Sequence, residues 1–286
     1  MKSFLTCTAL AFCIGATAPV QAQTFGYAGI GYGVQRGANP DNGAPETHGF
    51  GQIDGAFGFG GTRAVSFIIE ASTRTDAYTT SLITGTPSTG ETNLAGHVWY
   101  DPGGRTRVGA FAGYAFATNP NPNERQTLAY LGVQAIQDLG RDLLVFGQLG
   151  TGTSGPVGTK NSYGFYNGVF GRVGIAWGGL ANTSLRAEFE LAASPRYEAA
   201  SEPGMFRSLM IGGETAFGGG NWAATYGVRT ALYDALDDPD KLEETTITAG
   251  IRYTFGNKGA QERLRAGMIG TPLLPVRATT VTPMMD

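Results

Sequence analysis

The sequence predicts an all-β chain folded as a single antiparallel transmembrane β-barrel of about twelve strands, joined as an up-and-down meander. Three observations carry that expectation. Apolar and polar residues alternate with a period of two over segments near the roughly 9–11 residues that cross a bilayer when tilted. The connections between segments take turns at being short and long. Composition agrees: 45 glycines, 12 tyrosines and 16 phenylalanines stand among 286 residues, and only 15% are charged, against about 25% in an ordinary soluble domain.

The clearest alternation runs from Glu244 to Phe255. Thr245, Ile247, Ala249, Ile251, Tyr253 and Phe255 share one face, and Thr246, Thr248, Gly250, Arg252 and Thr254 share the other. An apolar face that ends in two aromatics suits a strand facing lipid, with its rings at the membrane interface.

The chain opens with MKSFLTCTALAFCIGATAPVQA: Lys2, an apolar run from Phe4 to Ile14, and small residues ending in Ala22. That is the order of a secretory signal, with cleavage expected after Ala22 and residues 1–22 lost. The apolar run is too short for a membrane helix, which needs about 20 residues. Thr6 and Phe12 precede the two cysteines, which argues against a lipoprotein signal. Both cysteines fall inside the signal, so the remaining chain carries no disulfide. Losing Lys2 leaves 19 Lys and Arg against 23 Asp and Glu, a formal charge of −4. Without a basic excess to neutralise phosphates, a nucleic-acid partner is disfavoured and none is expected.

Past Ala22 no apolar run is long enough to cross a membrane as a helix, so insertion must be by strands. Strands are expected at Thr24–Val34, His48–Phe57, Ala64–Arg74 and Thr92–Tyr100, with polar loops after the first and third. The turn Asp101-Pro-Gly-Gly104 leads into Arg107–Thr118, and a Pro-containing loop into Thr127–Gln137. The turn Asp138-Leu-Gly-Arg141 leads to Asp142–Gly150, and a further loop to Ser162–Trp177. The last third places strands at Thr183–Ala193, Phe206–Phe217, Trp222–Tyr233 and Glu244–Phe255. Glycine, proline, asparagine and aspartate mark the connections for the usual conformational reasons. A soluble sandwich, with strands of about 5–6 residues, needs neither this length matching nor this alternation of connections.

With the signal ending at Ala22, the Gly-aromatic stretch HVWYDPGGRTRVGAFAGYAF (97–116) and the closing GIRYTFG (250–256), the chain resembles porin-like outer-membrane β-barrels of Gram-negative bacteria, specifically those of alphaproteobacteria. The resemblance spans Thr24 to Phe255. It implies a barrel over 23–255 in the cell outer membrane, in contact with lipid and lipopolysaccharide. It also implies Tyr253 and Phe255 as the aromatic signal read by the barrel-insertion machinery. Such barrels usually end on that aromatic, whereas this chain continues to Asp286. Residues 256–286 are therefore expected as a periplasmic tail, disordered, folded back into the barrel mouth, or docking a partner through Leu264, Met268, Leu273 and Leu274.

If the apolar parity faces lipid, the other parity lines the lumen. It holds Asp54, Glu70, His97, Arg107, Arg172, Arg186, Glu188, Glu190, Glu214, Arg229 and Arg252. Unpaired charges there are prohibitively costly, so they must pair or stay wet. Either they form a ladder of ion pairs that fills and rigidifies the barrel, or they form a charged constriction that selects solutes.

Catalytic readings have less behind them. His48 and His97 are the only histidines, and a hydrolase at the outer rim would need His48 beside acidic loop residues such as Asp41 and Glu46 to activate water. No serine lies two residues from His97. The Glu188/Glu190 pair could suggest paired glycosidase carboxylates, but Arg186 beside it points to an ion-pair cluster. Gly29–Gly33 and Gly58–Gly61 lack the following helix a phosphate loop requires. The acidic loop from Asp234 to Glu243 offers oxygen ligands without the spacing of a calcium hand. The expectation is a non-enzymatic barrel without cofactor or metal, a porin-like passive channel for small hydrophilic solutes. The rival is a non-conducting structural or interaction barrel, and the rim hydrolase comes third.

Overall fold

The computed structural model describes residues 24–38, 45–60, 64–77, 89–118, 125–154, 165–180, 182–195, 203–235, 242–256 and 259–270. It is a closed barrel of twelve antiparallel strands. These are β1 (Thr24–Ala38), β2 (Pro45–Gly60), β3 (Val65–Ala77), β4 (Thr89–Tyr100), β5 (Thr106–Thr118) and β6 (Arg125–Gly140). They continue as β7 (Leu143–Ser154), β8 (Gly168–Leu180), β9 (Thr183–Ser194), β10 (Gly204–Phe217), β11 (Trp222–Ala235) and β12 (Leu242–Phe255). Each strand pairs with its neighbours in sequence, and β12 closes on β1 from Gly26↔Phe255 to Gly37↔Glu244. Closure removes the open edges that would otherwise have unpaired backbone groups in lipid. One short helix, α1 (Ala260–Arg265), follows the barrel.

Most strands run longer than the alternation alone predicted, chiefly at the end bearing the long connections. β2, for example, begins at Pro45 where His48 was expected. Polar residues such as Gln35 and Thr47 keep the ladder going beyond the apolar band, because hairpin hydrogen bonds need no apolar face. β8 reverses that trend: it starts at Gly168 where Ser162 was expected, and it runs on to Leu180 at its other end.

The turn end of the barrel is tight. Gly103 and Gly104 take φ of +90° and +115°, a conformation that L side chains rarely adopt, and Asp101 Oδ1 accepts a bond from the Gly103 N–H at 3.0 Å. At the β6–β7 turn, Gly140, Arg141 and Asp142 all have positive φ, and the Asp138 carboxylate accepts from the Gly140 N–H at 2.8 Å.

Side-chain parity places the apolar set outside. Ile30, Leu131, Leu149 and Ile211 are each more than 60% exposed, and they sit in a continuous belt with Ile53, Val133, Val173, Val228, Ile247 and Ile251. Aromatics ring the turn end of that belt. Trp222 packs on Tyr253 at 4.9 Å between centroids, Phe57 on Phe255 at 6.1 Å, and Phe59 stacks on Phe67 at 5.3 Å. An apolar band with an aromatic girdle is the outer surface expected of a barrel that faces lipid.

Inside, many aromatics lie against a glycine of the adjoining strand. A Cβ on Gly174 would stand 2.2 Å from the Phe146 ring, one on Gly33 2.1 Å from Phe50, and one on Gly132 2.7 Å from Phe111. The high glycine count thus has a packing cause: a bare backbone makes room for a ring that would otherwise clash across the ladder.

Candidate functional site: the charged lumen and the segment that enters it

The lumen has three layers. Toward the loop end, Phe111, Tyr130, Phe165, Phe170 and Phe206 form a buried aromatic cluster, with Phe111, Tyr130 and Phe170 all within 6.3 Å of one another between ring centroids. Toward the turn end, Phe25, Ile68, Trp99, Ile136, Leu144 and Phe146 form a second cluster. Between and beside them lies a polar layer in which nearly every inward charge finds a partner.

The inward residues named from the sequence occupy that interior as follows. Arg172 Nη1 is 3.2 Å from Glu188 and 3.9 Å from Glu190, and all three side chains are at most 4% exposed. Arg186 pairs with Glu188. Glu190 also accepts from Arg229 at 3.0 Å and from the Ser208 hydroxyl at 3.1 Å. Arg252 donates to Glu214 at 2.8 Å and to Asp54 at 3.0 Å. Glu70 stands 3.4 Å from His97 Nε2, while His97 Nδ1 donates to Gln134 Oε1 at 3.0 Å. Arg107 does not join them: it pairs with Asp101 at 3.0 Å at the turn end. His48 is in β2, and its side chain lies outside the described residues, as does the centre of the acidic loop at 236–241.

Burial explains why these charges are so thoroughly paired. Arginine planes complete what carboxylates leave open, with Arg172 and Arg186 over the Phe146 ring at 5.4 and 5.2 Å, and Arg252 over Tyr27 at 4.0 Å. A guanidinium suits such sites because its planar fork stacks and pairs at once.

The tail supplies the partners that strand parity did not reveal. Residues 259–270 turn back into the lumen, which leaves neither a free periplasmic tail over this stretch nor Leu264 and Met268 available to an outside partner. Leu264, Ala266, Met268 and Ile269 are buried against Trp99, Leu144 and Phe146. Arg263 pairs with Glu214, and Arg265 with Asp138 at 2.9 Å. The segment ends on two carbonyls held by the wall. Arg172 Nη2 donates to the Ile269 and Gly270 oxygens, each at 2.7 Å, Arg186 donates to Ile269 at 2.8 Å, and Gln148 donates to Gly270 at 3.1 Å. Leu273 and Leu274 lie outside the described residues.

Apolar residues in the tail mark Leu264 and Met268 in the sequence, whereas nothing local marks Arg263, Arg265, Gln134 or Gln148. The signal for the arginines was the acidic excess of the wall near the turn end, at Asp138, Asp142 and Glu214.

One part of the lumen stays open. A cavity of about 330 Å³ lies along β1, β2 and β9–β12, lined by Tyr27, Asp54, Arg186, Glu214, Arg229 and Arg252, and bounded by Arg263 and Met268 of the tail.

No protein family matches the sequence, and no curated protein does. Solved structures do share the fold. The translocator domain of autotransporter NalP from Neisseria meningitidis matches with a TM-score of 0.51 at 12% identity, over 87% of this chain and 93% of that one. A KdgM porin in complex with disordered oligogalacturonate gives 0.46 at 10%, over 79% and 99%. The CymD monoaromatic hydrocarbon channel gives 0.47 at 11%, over 80% and 87%. At such identities the likeness is one of fold. The structural neighbours are outer-membrane β-barrels of Gram-negative bacteria, and this chain, a closed twelve-stranded barrel, shares its fold with the NalP translocator domain.

Proposed function

We propose that this protein resides in a Gram-negative outer membrane and is a narrow, charge-lined pore for small hydrophilic solutes, restricted by its own C-terminal segment. The observation that carries the reading is the asymmetric filling of the lumen. The β4–β8 wall is packed with aromatics and aliphatics, while the β1, β2 and β9–β12 side keeps a cavity of about 330 Å³ with Asp54, Glu214, Arg229 and Arg252 on its surface. Pores select by placing charges of both signs at such a constriction. A cavity of that size falls within the range of roughly 300–1,000 Å³ in which proteins hold small molecules. His97, 1% exposed between Glu70 and Gln134, offers no place for a substrate and belongs to the packed wall.

On this reading the apolar belt and turn-end aromatics meet lipid and lipopolysaccharide, and Tyr253 and Phe255 serve the insertion machinery from within the chain. The short turns then face the periplasm. Liposome swelling with sugars of graded size tests the function: uptake that falls with solute size supports it, and impermeability in every variant counts against it.

A second reading, a non-conducting structural barrel, draws on the burial of Met268 and Ile269 across the turn end. It predicts the same impermeability whether or not the segment is in place.

A further inference from the structure

We infer that residues 259–270 are a releasable plug, seated in a receptor site of the lumen, rather than a permanent part of the core. The inference rests on reading the lumen as a passage. Four observations point to it.

The barrel is complete without the segment. The β1–β12 ladder runs unbroken over twelve residue pairs, so withdrawal opens no strand pairing. The segment's backbone-to-backbone bonds lie within it: Arg263 N–H donates to Gly259 at 3.0 Å, Ala266 to Glu262 at 2.9 Å, and Met268 to Arg263 at 3.0 Å.

The attachment to the wall combines the apolar contact of Leu264, Ala266, Met268 and Ile269 with a polar contact at two poles. The guanidiniums of Arg263 and Arg265 sit on the carboxylates of Glu214 and Asp138. The carbonyls of Ile269 and Gly270 sit on the guanidiniums of Arg172 and Arg186. Each pole also has partners on the wall itself, Arg252 for Glu214 and Glu188 for the arginine pair, so neither is stranded when the segment leaves. A permanent core would leave buried charge uncompensated on removal.

The segment passes over Trp99 at a glycine with no room to spare. Gly267 has φ of +106°, and a Cβ there would lie 2.3 Å from the indole nitrogen of Trp99. Trp99 is 1% exposed, and Gly267, Met268 and Ile269 are among the residues that enclose it.

The open cavity ends on the same segment, with Arg263, Leu264 and Met268 in its lining. Withdrawal would therefore lengthen an existing space toward the turn end instead of creating one. It would also remove two cationic side chains from the acidic rim, leaving Glu214 and Asp138 facing the passage, so the released pore should favour cations.

The test uses the full chain in liposomes, with the lipid-facing Trp177 and Trp222 replaced by Phe so that Trp99 alone emits. Gly267→Val, and separately the Arg263→Ala/Arg265→Ala pair, should raise acrylamide quenching of Trp99 severalfold over the parent. A synthetic peptide of residues 259–270 should reverse that rise, and a scrambled peptide should not. Equal quenching in the parent and both variants, with the barrel verified by its heat-modifiable gel migration, would overturn the plug. Conductance is read on the same samples: an exposed Trp99 with a silent bilayer would retain the plug and reject the pore, which separates the two failures.

Discussion

Asp54 and Arg252 meet at 3.0 Å across an entire intervening strand, over Gly29, which is paired in register with both of them. A Cβ at Gly29 would stand 2.8 Å from the Asp54 carboxylate. The glycine is thus the gap through which β2 and β12 share an ion pair inside the barrel. Gly29→Val should break that contact and destabilise the barrel by about 1–3 kcal/mol, the usual cost of overpacking. The temperature at which the folded gel band converts to the unfolded one should fall accordingly.

Arg172 and Glu188 are both almost fully buried and 3.2 Å apart. Removing one partner leaves the other uncompensated, so Arg172→Met and Glu188→Met should each cost about 3–5 kcal/mol. The double variant should cost less than the sum, and a double-mutant cycle in urea unfolding from vesicles measures the coupling. Simple additivity would show that the pair contributes nothing of its own.

Phe146 rests on bare backbone at Gly174 and carries Arg172 and Arg186 on its face. Phe146→Ala should lose about 3–5 kcal/mol through the cavity it leaves. Gly174→Ala should lose about 1–3 kcal/mol for the opposite reason. Both are read by the same thermal gel shift.

Ile247 lies near the middle of β12, 58% exposed, between Val34 and Val228 of the flanking strands. Ile247→Lys should cost about 2–4 kcal/mol, because a lipid-facing charge near the midplane is costly. Thr248→Lys, one residue on and turned to the lumen, should cost distinctly less. Equal penalties would mean that parity does not separate lipid from lumen.

Parity was the legible part of this chain. Ile247, Ile251 and Tyr253 read as outward because alternation in a strand is a local property, and Glu188, Glu190 and Arg252 read as inward for the same reason. Turns were legible where Asp101 with Gly103, and Asp138 with Gly140, supply the needed side chain and backbone conformation. Pairing was not legible. Which carboxylate meets Arg252 depends on the stagger of the closed barrel and on small residues such as Gly29 and Ser208, and no single strand contains that information. The tail was least legible of all. α1 has six residues, too few for a periodic apolar face, and its place is decided by Glu214 and Asp138, far away in sequence. The four buried apolar residues of segment 259–270, only Leu264 of them in α1, give a weak signal without the barrel surface they cover.

Single-channel recording in a planar bilayer, comparing the full chain with its Gly267→Val variant, separates an occluded pore from an inert barrel. The parent should show small or infrequent openings, and the variant a larger, steadier, cation-preferring conductance. Two silent bilayers, or two identical conductances, would mean that the barrel is not a pore restricted by its tail.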